Sequence, residues 1–258
     1  MKTTYKNTPI SFTSQGTGNP LVLLHGFLES KEIWQDFVVE LSAKRKVICI
    51  DLPGHGESGN IVEVHTMAEM AKAVKAVLDE LDIQQASFAG HSMGGYVSLE
   101  FQNIFPTMCN SLVLVNSTPQ ADSEERKANR DRAAALVLKN KRAFVSMAIS
   151  NLLRPANNKL FKPQIEELKN RALKFSTEGI YAAIKGMKIR TDHTGLFANF
   201  KGQKIVIAGK NDPVMDFNTI KVIAKRCGSE FESLPGGHLA FLEDKNELFK
   251  ILQFVDKF

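Results

Sequence analysis

Short, continuous apolar runs alternate with helical patterns along most of this chain. Leu21–Leu24, Lys46–Ile50, Ala86–Ala89 and Ser111–Asn116 are too short for helices and lack polar alternation, which predicts strands buried on both faces. Between them, Ser30–Ser42 places Ile33, Trp34, Phe37, Val38 and Leu41 at helical spacing. Met67–Leu81 does the same with Ala71, Val74, Leu78 and Leu81, and a third helical run extends from Gly95 to Phe105, where Pro106 helps end it. The order resumes later with a strand at Lys204–Ala208, a helix over about Phe217–Arg226, a β-like Phe231–Leu234 and a final helix from Glu247. At the N-terminus, alternating segments around Thr3–Asn7 and Ile10–Ser14, parted by Pro9 and closed by Gly16-Thr17-Gly18, read as an antiparallel hairpin. Strands that alternate with helices pair in parallel through right-handed crossovers. The prediction is an α/β fold: a mostly parallel central sheet of about eight strands with helices on both faces.

Residues 119–190 break this rhythm. They carry helical periodicity without convincing strands, as in Ala128/Ala134/Leu136/Leu138, Phe144/Met147/Leu152/Leu153, Ile165/Leu168/Leu173 and Ile180/Ala183/Ile184/Met187. Pro155, Pro163 and Gly179 read as breakers, giving about four short helices inserted after the Ser111–Asn116 strand. The predicted division is therefore a core of residues 1–118 and 191–258 with a helical lid at 119–190. An insertion at the carboxyl ends of the strands sits over whatever those ends hold.

Composition adds limits. A chain of 258 residues that is 43% apolar and 24% charged suits a globule with a sizeable core. No apolar run approaches the ~18 residues needed to span a bilayer, and Met1–Lys6 shows no secretory pattern, so no membrane partner is expected. Cys49, Cys109 and Cys227 are odd in number and in no metal-like spacing, which reads as reduced thiols in a cytoplasmic protein. The net charge is +5. It is unevenly placed: residues 119–190 hold 16 lysines and arginines against 7 acids. No nucleic-acid motif accompanies them, so the surplus reads either as solvated helix faces or as a preference for anionic substrates.

The candidate chemistry centres on Gly90-His91-Ser92-Met93-Gly94, directly after an apolar run and directly before a helical pattern. At a strand-to-helix turn the serine occupies a strained bend that lifts its Oγ clear of the sheet, and the flanking glycines remove Cβ atoms that would collide. A serine hydroxyl needs an adjacent base, itself oriented by a third group. His238 follows a β-like run on a Gly-rich loop and is the expected base. His65 and His193 lie in polar segments and are expected to be solvated, His25 and His55 belong to glycine turns, and His91 should point away from the serine. Asp212, just after the Ile205–Ala208 run, is the expected acid; the other plausible place offers only Asn116 and Ser117. Asp216 reads as a helix N-cap, and Glu243 as an anchor or N-cap for the last helix.

The order Ser92…Asp212…His238 resembles that of the α/β-hydrolase fold superfamily, along essentially the whole chain. His25-Gly26-Phe27, Asp51-Leu52-Pro53-Gly54-His55-Gly56-Glu57-Ser58 and Gly237-His238 are similar to that family's segments. The resemblance implies a Ser-Asp-His triad, an oxyanion hole made by the Phe27 and Met93 amides, and a helical cap. Phe27, Met93 and Leu239 are then candidate pocket walls. It also implies hydrolysis of a small carboxylic ester, with an anionic one favoured by the basic insertion, by a monomer or homodimer needing no metal or organic cofactor and no nucleic acid. The same residues would serve a carbon–carbon hydrolase, a thioesterase, a perhydrolase, or the menaquinone-pathway lyase, although that lyase usually carries Arg where Tyr96 stands. A hydrolase-fold receptor for a small molecule also remains. Epoxide hydrolases and haloalkane dehalogenases need an Asp in place of Ser92.

Overall fold

The alternating pattern folds into one eight-stranded sheet. The computed structural model describes residues 1–154, 157 and 159–255. Strands β1 (Lys2–Tyr5) and β2 (Thr8–Gln15) form the N-terminal hairpin, and β2 runs antiparallel to β4 (Lys46–Ile50). From β4 onward every neighbour is parallel: β3 (Pro20–Leu24), β5 (Ala86–His91), β6 (Cys109–Val115), β7 (Gln203–Gly209) and β8 (Glu230–Leu234). The spatial order is β1-β2-β4-β3-β5-β6-β7-β8.

The continuous apolar runs are explained by two cores, one on each face. Val22, Leu24, Ile48, Ile50, Phe88, Leu112 and Leu114 face one layer, while Leu21, Leu23, Val47, Cys49, Ala89, Val113 and Val115 face the other. Side chains of successive strand residues point to opposite faces, so both sets must be apolar. The first layer is covered by α2 (Met67–Glu80), α3 (Met93–Ile104) and α9 (Phe217–Arg226). The second is covered by α1 (Gln35–Leu41) and α11 (Lys245–Leu252), joined by helices of the 119–190 segment. Phe88 and Phe101 lock β5 to α3 with ring centroids 4.5 Å apart, both fully buried. Burying such a side chain stabilises the fold by about 1.5–3 kcal/mol.

Four longer helices fill the segment between β6 and β7, as its periodicity predicts: α4 (Glu124–Lys139), α5 (Lys141–Ser150), α6 (Lys162–Ala172) and α7 (Thr177–Lys188). Pro163 starts α6, and Pro155 lies outside the described residues. Gly179 is not a breaker. It sits in the first turn of α7, where its amide is capped by Ser176 and a Cβ would run against Gly54. Three local differences remain. The expected first helix begins as a 3-10 turn at Lys31–Trp34, α8 (Thr194–Asn199) was too short to show periodicity, and α10 (Ala240–Glu243) precedes the final helix. All the segments that carry candidate chemistry leave the carboxyl ends of parallel strands, the edge where open α/β sheets bind ligands.

Candidate active site

Ser92 links β5 to α3 with φ 49° and ψ −111°, a left-handed conformation that costs a non-glycine residue about 1–3 kcal/mol. Neighbouring strands hold it there. Its amide donates to the Val115 carbonyl at 2.9 Å, and its carbonyl accepts from the Gly95 amide at 3.0 Å and the Ser117 hydroxyl at 2.8 Å. A Cβ on Gly90 would collide with the Gly94 backbone, and one on Gly94 with the Leu24 carbonyl. The Gly-x-Ser-x-Gly spacing is therefore a steric requirement of this turn.

His238 and Asp212, 26 residues apart, meet where the loops after β7 and β8 converge. The imidazole Nδ1 lies 2.8 Å from Asp212 Oδ2, and both side chains are buried. Asp212 is itself held from three directions: Oδ2 accepts from Asn116 Nδ2 at 2.9 Å, and Oδ1 accepts from the Val214 and Met215 amides at 2.7 and 3.0 Å. Burial pushes its carboxyl up, but His238, Asn116 and the Val214 amide outweigh that and hold it below its ordinary value. An ionised acceptor at Asp212 makes Nδ1 the protonated nitrogen, which leaves Nε2 with a lone pair.

The Phe27 and Met93 amides have no acceptor among the described residues. Met93 is the first residue of α3, where the helix end concentrates positive potential. Phe27 lies in the loop after β3, which is anchored by a 2.6 Å bond from the Gly26 amide to Glu29 Oε2.

Ser92 and His238 line one cavity together with Phe27, Tyr96, Leu152 and Met187. Its volume is about 90 Å³. Pockets for drug-sized ligands run to about 300–1,000 Å³, so this space suits a small group rather than a long chain. Met93 and Leu239, expected as walls, do not line it. Both are fully buried, Met93 in the α2/α3 layer and Leu239 in the opposite one, because each side chain turns into the core behind its own backbone. A larger groove of about 510 Å³ near Val39, Phe249 and Val255 has no serine, cysteine or histidine in its wall.

Several histidines depart from expectation. His65 and His193 are buried, not solvated: His65 Nε2 accepts from the Ile61 amide at 3.2 Å, and His193 Nε2 lies 2.7 Å from Glu100. Burial lowers His65 to about 4, which keeps it neutral. His25 stitches the loops after β3 and β4, with Nδ1 donating to the Gly26 carbonyl at 2.7 Å and Nε2 accepting from the Leu52 amide at 2.9 Å. His91 does turn away from Ser92. Its Nε2 donates to the His238 carbonyl at 2.8 Å, and its Nδ1 lies 2.9 Å from Glu29 Oε2. Both ring nitrogens face acceptors, so the imidazole is doubly protonated. Burial opposes that charge, yet Glu29 raises His91 above its ordinary value, and Glu29 in turn is held below its own.

Asn116 is the site residue that the sequence pattern missed. It sits at φ 45° just past β6 and bonds both Asp212 and the Gly237 carbonyl. A polar residue ending an apolar run was its only signal. Asp216 caps α9 as expected, but Asp244, not Glu243, starts the last helix; its carboxylate accepts from the Gly236 amide at 2.9 Å, while Glu243 binds Asn157 Nδ2 at 2.6 Å.

Among the described residues no cluster of histidine, cysteine and acids is placed to hold a metal, and no helix is long and apolar enough to cross a membrane. The architecture has close counterparts. A thermophilic esterase from Thermogutta terrifontis, solved with malate bound, superposes with a TM-score of 0.90 at 29% identity, over 95% of this chain and 92% of that one. The enol-lactonase of Burkholderia xenovorans LB400 gives 0.90 at 18% identity over 98% of both chains, a likeness of fold. The dihydrolipoyllysine-residue acetyltransferase component of the acetoin cleaving system from Pseudomonas putida is 38% identical over 144 residues, 56% of this chain but only 36% of that protein's length. The match likewise spans half or less of the length of two further curated relatives, one of them a phage D29 haloperoxidase, at 39% and 49%. The family described as alpha/beta hydrolase fold matches residues 19–245, and this chain belongs to it.

Proposed function

We propose that this protein hydrolyses a small carboxylic ester through an acyl-enzyme on Ser92, beneath a cap formed by residues 119–190. The observation that carries the reading is the buried His238–Asp212 pair, whose histidine shares a cavity with Ser92 beside two unpaired amides. The esterase at 29% identity supports the reaction class.

Ser92 Oγ attacks the ester carbonyl while His238 Nε2 takes its proton. The tetrahedral oxyanion lies between the Phe27 and Met93 amides, where removing one such donor costs about 2.7–4 kcal/mol of transition-state stabilisation. Asp212 fixes the tautomer and stabilises the imidazolium. His238 then protonates the departing alkoxide, and the alcohol leaves. Water attacks the acyl-enzyme, passes a proton to His238, and the acid departs as Ser92 recovers its hydrogen. The small cavity favours short acyl groups.

The test is turnover of p-nitrophenyl butyrate together with labelling by a fluorophosphonate. Wild type should turn over repeatedly and label at Ser92, and Ser92→Ala should lose both. Unchanged turnover in Ser92→Ala would sink the proposal.

A further inference from the structure

The cavity that holds Ser92 and His238 also carries two guanidiniums. Arg126 and Arg130, one helical turn apart on α4, belong to its wall. Both reach back to Asp122, Arg126 with Nε 3.3 Å from Oδ1 and Arg130 with Nε 3.1 Å from Oδ2. Arg190 brings a third guanidinium to the same carboxylate at 2.6 Å, and its own plane lies 4.1 Å from the centroid of the Tyr96 ring.

Holding the fold together does not account for this arrangement. The Asp122 side chain is fully buried, and Arg190, only 4% exposed, already neutralises it. Arg126 and Arg130 remain 37% and 20% exposed. One acid against three arginines leaves two positive charges at the cavity, and arginine does not shed its charge near neutral pH. The other ionisable groups of the wall do not cancel them. Glu29 is committed to His91 and the Gly26 amide, and His238 to Asp212. Arg126 spends one amino group on the Val214 carbonyl at 3.0 Å, whereas both terminal amino groups of Arg130 have no acceptor among the described residues. Elsewhere in this basic segment some cations are matched on the surface, as in Lys127–Glu124, Lys169–Glu166 and Lys188–Asp131, and others, such as Arg132, Lys139 and Arg142, are exposed to solvent. What sets Arg126 and Arg130 apart is their place in the wall of the cavity that holds Ser92 and His238.

We propose that Arg126 and Arg130 form a carboxylate-binding subsite, so that the preferred substrate is a small ester bearing a free carboxylate, such as a monoester of a short dicarboxylic acid. This rests on the esterase reading of the same cavity. A guanidinium offers a planar fork of donors that matches a carboxylate. Arg130 Nε donates to Asp122 Oδ2 and one amino group of Arg126 to the Val214 carbonyl, which leaves the two terminal amino groups of Arg130 and the second of Arg126 for a ligand.

The experiment compares kcat/KM by pH-stat for monoethyl succinate (carboxylate on the acyl side), 3-acetoxypropanoate (carboxylate on the alcohol side) and neutral ethyl butyrate. Wild type should prefer one of the anionic esters by about 10-fold or more, and which one identifies the side that faces the arginines. The double variant Arg126→Gln/Arg130→Gln should lose about 30-fold on that ester, mainly in KM, and less than about 3-fold on ethyl butyrate. Equal losses on both, or no anion preference in wild type, would overturn the subsite and leave the esterase reading intact. Turnover of none of the three would overturn the esterase reading. The subsite is then judged by binding: 10 mM succinate should raise the Tm of Ser92→Ala by a few degrees and leave Ser92→Ala/Arg126→Gln/Arg130→Gln unmoved, and no shift in Ser92→Ala refutes it. If the glutamine variants do not fold, salt decides in wild type. Raising NaCl to 0.5 M should erase the preference for the anionic ester while sparing ethyl butyrate, and a preference that survives refutes the subsite.

Discussion

Two buried histidine–carboxylate pairs stand side by side at the carboxyl end of the sheet, their imidazole centroids 5.1 Å apart. Asp212–His238 and Glu29–His91 have nearly the same geometry, at 2.8 and 2.9 Å. The difference lies in the second nitrogen of each ring. In His91 it meets a carbonyl oxygen, so both nitrogens are donors and the ring is a buried cation. In His238 it has no partner among the described residues, and the ring borders the cavity, so a lone pair remains to take a proton. A histidine's carboxylate partner therefore does not set its role. What its other nitrogen meets decides between a structural tie and a base. The tie also connects the two halves of the site, because Glu29 anchors the Phe27 loop through Gly26 while His91 anchors the His238 loop through its carbonyl.

The strongest way to break this comparison is Asp212→Asn. The amide would present donors to Nδ1 and favour the wrong tautomer, and a loss of about 10³–10⁴ in kcat on p-nitrophenyl butyrate is expected with an unchanged circular dichroism spectrum. A loss below about 10-fold would mean that the pair does not act as described. Glu29→Gln comes next. It leaves a buried imidazolium without its anion, and urea denaturation should show a loss of roughly 3–5 kcal/mol. Stability within about 0.5 kcal/mol of wild type would show that His91 is not charged.

Asn116→Gly has a smaller expected effect. Glycine tolerates the positive φ, so the variant removes only the bonds to Asp212 and the Gly237 carbonyl, at a cost of about 1–2 kcal/mol in stability. kcat should fall about 10-fold, since Asp212 loses one of its supports, and KM should hardly move. The smallest effect is in pH dependence. His91 is raised in the folded state, so its contribution is complete below its unfolded value of 6.5 and fades as pH climbs through the folded one. Glu29 is lowered, so its contribution is complete above its unfolded value of 4.5 and fades as pH falls through the folded one. The pair therefore stabilises most between about 4.5 and 6.5, and Tm differences between wild type and Glu29→Gln should peak there and narrow on both sides. A difference that stays flat from pH 4 to 9 would count against a titrating pair.

The parts of this site that follow from short-range rules were legible in the chain. Ser92 was identifiable because a strand, a bend with two glycines and a helix follow one another within a few residues, and steric exclusion at Gly90 and Gly94 acts over that same range. Asp212 and His238 were legible as polar residues just past strand runs. Nothing local says that the Asn116 amide will face a carboxylate 96 residues away. Met93 and Leu239 face the two cores and not the cavity, because the direction of a side chain beside a turn depends on what packs behind it. Arg126 and Arg130 were visible only as part of a charge surplus. The spacing of Arg126 and Arg130, four residues apart, was the available clue to a shared helical face.

The chain's own pattern determined the sheet, its two apolar faces, the strained serine turn and the run of helices between β6 and β7. Backbone sterics and apolar periodicity act between residues a few positions apart. Only the folded molecule decided which of six histidines brings an open nitrogen to the cavity, which carboxylates pair with which cations, and which arginines border that cavity. Those outcomes depend on burial and on distances between residues brought together from far along the chain, and a linear pattern contains neither.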